Sequence, residues 1–129
     1  MRWVLDTSVL IDHLRGRPKA AVELIAGAIE RGDELWSSQV VRAELLAGMR
    51  QSEEAATRDL MRLMTWADVD ESTSEAAGEL GRIYLASHSG IEVADLIVAA
   101  LTLELDAELK TVNVKHFPMF KDLAPPYGY

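Results

Sequence analysis

Three carboxylates stand where a carboxylate is costly. Asp6 ends the apolar run Trp3-Val4-Leu5, Glu44 interrupts Val40-Val41-Arg42-Ala43-Glu44-Leu45-Leu46-Ala47-Gly48, and Asp95 precedes Leu96-Ile97-Val98-Ala99-Ala100. An ionised acid in apolar surroundings wants a cation, a hydrogen-bond network or water. Converging, the three would offer the oxygen donors that hard divalent ions prefer, and magnesium usually keeps several of its waters in such a site. An ion of that kind can activate water, orient a phosphate and stabilise developing charge. Three converging carboxylates would thus make a hard-metal site.

Each acid also has a structural reading. Asp6 can cap the helix that follows, although Thr7 and Ser8 can cap it equally well. Glu44 can pair with Arg42 or a distant lysine. Asp95 can simply complement the dipole of its helix from the first turn. Around them, Thr7, Ser8, Thr111, Asn113, Lys115 and His116 are candidates for holding a ligand or touching a phosphate backbone. Ser8 could hold Asp6 or a metal-bound water, and Asn113 could orient such a water or bind a phosphate oxygen. Asn113 also suits a turn, and Lys115 and His116 suit an exposed one. Asp12 reads as solvated or adjacent to the site, and His13 and His88 as structural. The sequence carries no glycine-rich phosphate loop, HExxH pair or GxSxG elbow.

The elements that must position these groups alternate. Residues 3–5 read as a buried strand that delivers Asp6 at its carboxyl end, where ligands sit in open α/β sheets. A short helix from Thr7 or Ser8 stops at Gly16-Arg17-Pro18. Residues 19–31 form a helix with Ala21, Leu24, Ile25, Ala28 and Ile29 on one face, and Gly32 fits its C-cap. Residues 34–37 form a strand, and Ser37 or Ser38 caps the helix that carries Glu44. Residues 53–66 read as a helix with Ala56, Leu60, Leu63 and Met64 at core spacing. Val69 marks a brief strand. A helix from Ser72 or Thr73 reaches about Ser87, an apolar helix covers 92–105, and 109–112 is a strand before the polar turn Asn113–Phe117. The proline-containing tail reads as irregular and surface-bound. Strands alternating with helices imply an α/β/α sandwich around a mostly parallel sheet, and residues 1–129 read as one domain.

Composition narrows the classes. The chain of 129 residues is 49% hydrophobic, enough for a real core. No apolar stretch reaches the about 18 residues of a membrane span, and the start lacks the pattern of a signal peptide. Without cysteine there is no disulfide, thiol nucleophile or thiolate zinc site; this agrees with a cytoplasmic protein. A net charge of −8 argues against a broad electropositive surface for nucleic acid. It leaves room for a nuclease, because clustered carboxylates that hold cations contribute to it.

Four segments in order carry a resemblance: Leu5-Asp6-Thr7-Ser8-Val9-Leu10-Ile11-Asp12, Val41-Arg42-Ala43-Glu44-Leu45, Ala94-Asp95-Leu96-Ile97-Val98-Ala99-Ala100, and Thr111-Val112-Asn113-Val114-Lys115-His116-Phe117. The chain resembles the PIN-domain ribonucleases, specifically the VapC-type toxins of type II toxin–antitoxin systems. The resemblance implies a magnesium- or manganese-dependent endoribonuclease cutting a structured cellular RNA, with Asp6, Glu44 and Asp95 as its acidic core. No nucleophilic side chain is then needed: the implied chemistry is in-line attack of a metal-activated water on the phosphodiester, with Asp6 and Asp95 the principal ligands and Glu44 a further ligand or the group that positions the water. It also implies a VapB-type antitoxin partner that blocks the acidic groove, and a homodimer, for which the helices at 53–66 and 73–87 are candidate contacts. The last family motif often adds a fourth acid at the position of Asn113 or His116, and this chain has neither. That departure implies one firmly held metal, a second only with substrate, or reduced activity. The competing reading is a PIN-fold module, weakly active or inactive, that binds RNA or protein. A haloacid-dehalogenase-like phosphatase would need a second Asp where Ser8 stands. A response regulator would need its acceptor Asp on a strand.

Overall fold

The computed structural model describes residues 1–128. Four parallel strands form one sheet in the order β3-β2-β1-β4. They are β1 (Arg2–Leu5), β2 (Glu34–Ser38), β3 (Thr65–Ala67) and β4 (Glu108–Lys110). Helices α1 (Thr7–Arg15), α2 (Lys19–Arg31), α3 (Gln39–Gly48), α4 (Glu54–Arg62), α5 (Glu71–Tyr84) and α6 (Val93–Glu104) flank it, the α/β/α arrangement that the alternation of elements implies.

β1 is central because it is apolar on both faces. Trp3, Val4 and Leu5 are all buried, as a strand covered on both sides requires. It pairs with β2 through Trp3↔Leu35 and Val4↔Trp36, and with β4 through Val4↔Leu109 and Leu5↔Lys110. The ladder continues one step further, since the Asp6 N–H donates to the Lys110 carbonyl at 3.0 Å. Asp6 is thereby fixed at the sheet's carboxyl edge before any side chain acts. α1 starts at once and ends on Gly16, whose φ of 74° is a left-handed cap that a Cβ would strain.

α6 is the most apolar helix, with Leu96 through Thr102 all buried. It packs against α5 and across β1 and β2. The core joins Val4, Leu5, Val9, Leu10, Ile25, Val41, Val98 and Phe117.

Two stretches differ from the sequence reading. The helix expected over 53–66 is instead a 3₁₀ turn (Gln51–Glu53) followed by α4, which stops at Arg62. The strand expected at Val69 is β3 at Thr65–Ala67, paired to β2 through Trp36↔Thr65 and Ser38↔Ala67. Pairing to β2 satisfies backbone groups that the helical periodicity alone would have kept in a helix. The Trp66 indole N–H secures the corner by donating to the Met61 carbonyl at 3.0 Å. Ile29, Ala56 and Leu63, expected in the core, are exposed. The tail carries no helix or strand up to Gly128, yet it is not loose. The Tyr127 hydroxyl donates to Asp12 at 2.8 Å, and Leu123 and Tyr127 pack on the core.

Candidate active site

Asp6 is buried, with 6% of its surface exposed. It occupies the N-cap position of α1, yet its side chain makes no capping hydrogen bond. The carboxylate turns instead to two hydroxyls. Ser8 donates to Oδ2 at 2.9 Å and Thr111 donates to the same oxygen at 2.8 Å. Each hydroxyl in turn accepts a backbone N–H, Ser8 from Val112 at 3.3 Å and Thr111 from Asn113 at 3.0 Å. Two short relays thus run from backbone amide to hydroxyl to carboxylate and converge on one oxygen. The hydroxyl oxygens lie 3.4 Å apart, but both protons are committed to Asp6, so that contact adds no further bond. Asp6 Oδ1 makes no hydrogen bond among the described residues.

Glu44 comes from α3, whose start is fixed by Ser38 accepting the Val41 N–H at 3.2 Å. Thr7 donates to Glu44 Oε1 at 3.0 Å. The expected alternative of an ion pair with Arg42 is not formed, and Glu44 has no ion pair among the described residues. Desolvation lifts the Glu44 carboxyl above its ordinary range; the Thr7 bond opposes this, and the charges of Asp6, Asp95 and Glu92 add to it. The outer part of the side chain remains exposed, so the effect is screened.

Asp95 lies in the first turn of α6 and has a structural duty as well. Its Oδ2 accepts the Glu92 N–H at 2.9 Å, half of a capping box. His116 Nδ1 stands 3.4 Å from the same oxygen. Burial raises the Asp95 carboxyl, the Glu92 amide lowers it, the charge of Asp6 raises it and His116 lowers it. Gly90, beside the opposite ring nitrogen, has a φ of 87° that favours glycine; a Cβ there would make only ordinary contact with Nε2, at 3.5 Å.

The three acids therefore feel one another, since the charge of Asp6 reaches both Glu44 and Asp95. Asp6 Oδ1, Glu44 Oε2 and Asp95 Oδ1 are each free of hydrogen bonds among the described residues. No three described His, Asp or Glu side chains close into a ready-made coordination cage. That donor set, all oxygen and loosely gathered, suits a divalent ion that retains waters rather than one fully wrapped by protein.

The remaining expected residues divide. Ser8, Thr7 and Thr111 hold the acids. Asn113 is exposed and gives only its backbone N–H to the relay. Lys115 is exposed, and its ammonium has no ion pair among the described residues. His116 is not a free turn residue but lies against Asp95. Asp12 is buried and bonded to Tyr127 rather than to the acids. His13 is half-buried, and desolvation lowers its pKa; His88 Nδ1 meets the Ser87 hydroxyl at 2.9 Å.

The sequence matches the PIN domain over residues 3–117. This chain belongs to the PIN-domain family. It is 48% identical over 124 residues to the ribonuclease VapC19 of Mycobacterium tuberculosis, covering 96% of this chain and 98% of that one. It is 38% identical over 128 residues to ribonuclease VapC10 of the same species, covering 97% and 92%. Among solved structures, VapBC-1 of nontypeable Haemophilus influenzae superposes with a TM-score of 0.74 at 27% identity, covering 95% of each chain. VapBC2 of Rickettsia felis, bound to promoter DNA, superposes at 0.77 with 21% identity and 97% coverage of each chain. The PIN frame thus sets Asp6, Glu44 and Asp95 on three separate elements around one sheet edge.

Proposed function

We propose that this PIN domain is an endoribonuclease toxin of the VapBC type, dependent on a divalent metal ion, magnesium or manganese. Asp6, Glu44 and Asp95 hold the ion, and a structured cellular RNA is the substrate. The observation that carries the reading is the Asp6 double relay. Four polar groups from two segments are spent on orienting one carboxylate whose other oxygen is left free. A purely structural acid in this position would cap α1, and Asp6 does not.

When bound, the ion supplies Lewis-acid activation of water and neutralisation of phosphate charge. Asp6 presents Oδ1 in a fixed direction because Oδ2 is anchored twice. Asp95 presents Oδ1 because Oδ2 is held by the Glu92 amide and His116. Glu44 presents Oε2, steadied by Thr7. Mutual repulsion keeps all three poised for a cation, which relieves it. Asn113, exposed beside the relay, is placed to approach an incoming phosphate or water, and Lys115 to contact the RNA backbone.

The relatives support the partners as well. The solved neighbours are VapBC complexes, so a VapB-type antitoxin is the proposed regulator. For a homodimer, the face between α5 and α6 has the better credentials. An apolar groove of about 470 Å³ lies there, lined among others by Leu85, 47% exposed, and Val93, 67% exposed. No described helix is long and apolar enough to cross a membrane, and the site of action proposed is the cytoplasm. A weakly active module that binds RNA or protein is favoured only by the absence of an acid at Asn113.

The test is cleavage of total cellular RNA by the purified chain, freed of antitoxin, in magnesium, in manganese and in EDTA, with Asp6→Asn as control. Discrete metal-dependent fragments, absent with the variant, are expected. Metal binding without cleavage would shift the assignment to the binding module, and equal cleavage by the variant would refute the site.

A further inference from the structure

Glu44 belongs to two places at once. It is one of the three acids, and it also lines a groove of about 810 Å³ that runs between α1, α3 and the segment leading into α4. Three arginines line that groove from separate parts of the chain: Arg15 at the end of α1, Arg17 in the α1–α2 link and Arg50 after α3. All three are exposed, and none makes an ion pair among the described residues. Of the six arginines outside the groove, five meet a carboxylate (Arg2, Arg31, Arg58, Arg62 and Arg82) and Arg42 alone does not among the described residues. On a chain of net charge −8, three guanidinium groups without acids in one groove mark a local reversal of sign.

Arg15 has a partial explanation in the dipole of α1, whose last turn it occupies. Arg17 and Arg50 have none. The one other acid of the groove, Glu53, spends Oε1 on the Arg50 N–H at 2.7 Å, which ties it to the backbone rather than to a guanidinium. Among the described residues no aromatic side chain lines the groove, so they offer no platform there for stacking bases. Guanidinium groups match phosphate oxygens in bidentate geometry. Apolar Leu14 and Met49 offer soft contact for sugars.

We propose that this groove is the track for the RNA backbone beside the cleavage site, with Arg15, Arg17 and Arg50 each neutralising a phosphate and leading the strand to Glu44. The assignment rests on the nuclease reading above. It makes these arginines sequence-blind affinity residues: they position the strand while base recognition lies elsewhere.

The experiment measures binding of a short single-stranded RNA of mixed sequence in EDTA, where no cleavage occurs, across a salt series. It compares the wild type, Arg15→Ala/Arg17→Ala/Arg50→Ala, the corresponding triple lysine variant, and Arg58→Ala/Arg62→Ala/Arg82→Ala as a control of equal charge. Each single-strand phosphate contact contributes about −0.7 to the slope of log K against log salt, so the groove variant should be shallower by about 2. Over a fourfold rise in salt, the wild type should then lose roughly 16-fold more affinity than the groove variant. The lysine variant should keep most of the slope and the control all of it. Equal slopes for wild type and groove variant would overturn the track, as would an equal loss in the control. If the groove variant keeps RNA affinity but loses poly-glutamate binding, the groove serves an acidic protein segment instead. Total-RNA cleavage by the same wild-type preparation separates the two failures. Cleavage with equal slopes sinks only the track, whereas neither cleavage nor binding sinks the nuclease reading itself.

Discussion

Thr111→Val tests the Asp6 relay with little change of shape. Thr111 is fully buried and its hydroxyl lies 2.8 Å from Asp6 Oδ2, so valine opens no cavity and admits no water. What is lost is one hydrogen bond to an ionised group, about 1.5–3 kcal/mol. The Asn113 N–H also loses its acceptor, but Asn113 is exposed and water can replace it. For a chain of 129 residues, 1 kcal/mol corresponds to about 4 °C in Tm, so a fall of roughly 6–12 °C is expected. The decisive comparison is the same substitution in Asp6→Asn. The asparagine carbonyl still accepts from both hydroxyls but is neutral, so Thr111→Val should cost only about 0.5–1.5 kcal/mol there. Differential scanning calorimetry of the four proteins gives the coupling directly. Cleavage by Thr111→Val should fall about 10–100-fold, as for other groups that orient a metal ligand. Equal Tm losses in both backgrounds, with cleavage intact, would mean that Thr111 merely fills space and that the relay does not hold Asp6 for chemistry.

Further outcomes follow from the same site. Saturating magnesium or manganese at about 100 times Kd should stabilise the wild type by about 2.7 kcal/mol and leave Asp6→Asn unmoved, read by thermal shift with and without EDTA. Burial raises Asp95 in the folded state, so the folded chain holds that proton more tightly than the unfolded chain does. Its contribution to stability without metal is therefore greatest at low pH and declines as pH rises through the raised carboxyl range. Asp95→Asn keeps an acceptor for the Glu92 amide and should match the wild type in acid but exceed its Tm at neutral pH; a lower Tm at neutral pH would refute this. Phe117→Ala, which truncates a fully buried ring, should cost about 3–5 kcal/mol, measured by urea unfolding. Leu85→Glu should give monomers in sedimentation velocity without loss of Tm, and an unchanged sedimentation coefficient would remove α5 from the proposed dimer contact.

The sequence disclosed the acids because each interrupts an apolar run, and it disclosed β1 because Trp3-Val4-Leu5 leads straight into Asp6. Ser8 holding Asp6 was legible as one of two options, but the Thr111 half of the relay was not, since Thr111 meets Asp6 and Ser8 only when β4 pairs with β1. β3 was misplaced because Leu60, Leu63 and Met64 continue a helical period with no glycine or proline to end it. Only pairing with β2 decides that boundary. His116 gave the signal of its position in the last motif, but its contact with Asp95 depends on the 3₁₀ turn Val114–His116. The arginine groove was hidden because Arg15, Arg17 and Arg50 are gathered by the approach of α1 to α3.

Asp6 and its second anchor are far apart in the chain. The hydroxyl that completes it lies 105 positions downstream, on the segment that follows β4. A nascent chain that has emerged only as far as α6 carries all three acids but lacks the strand that orders Asp6. The fixed direction of Asp6 is therefore a property of the assembled sheet, not of the loop that bears the acid: any opening that parts β4 from β1 releases one of its two anchors while leaving the three acids in the chain.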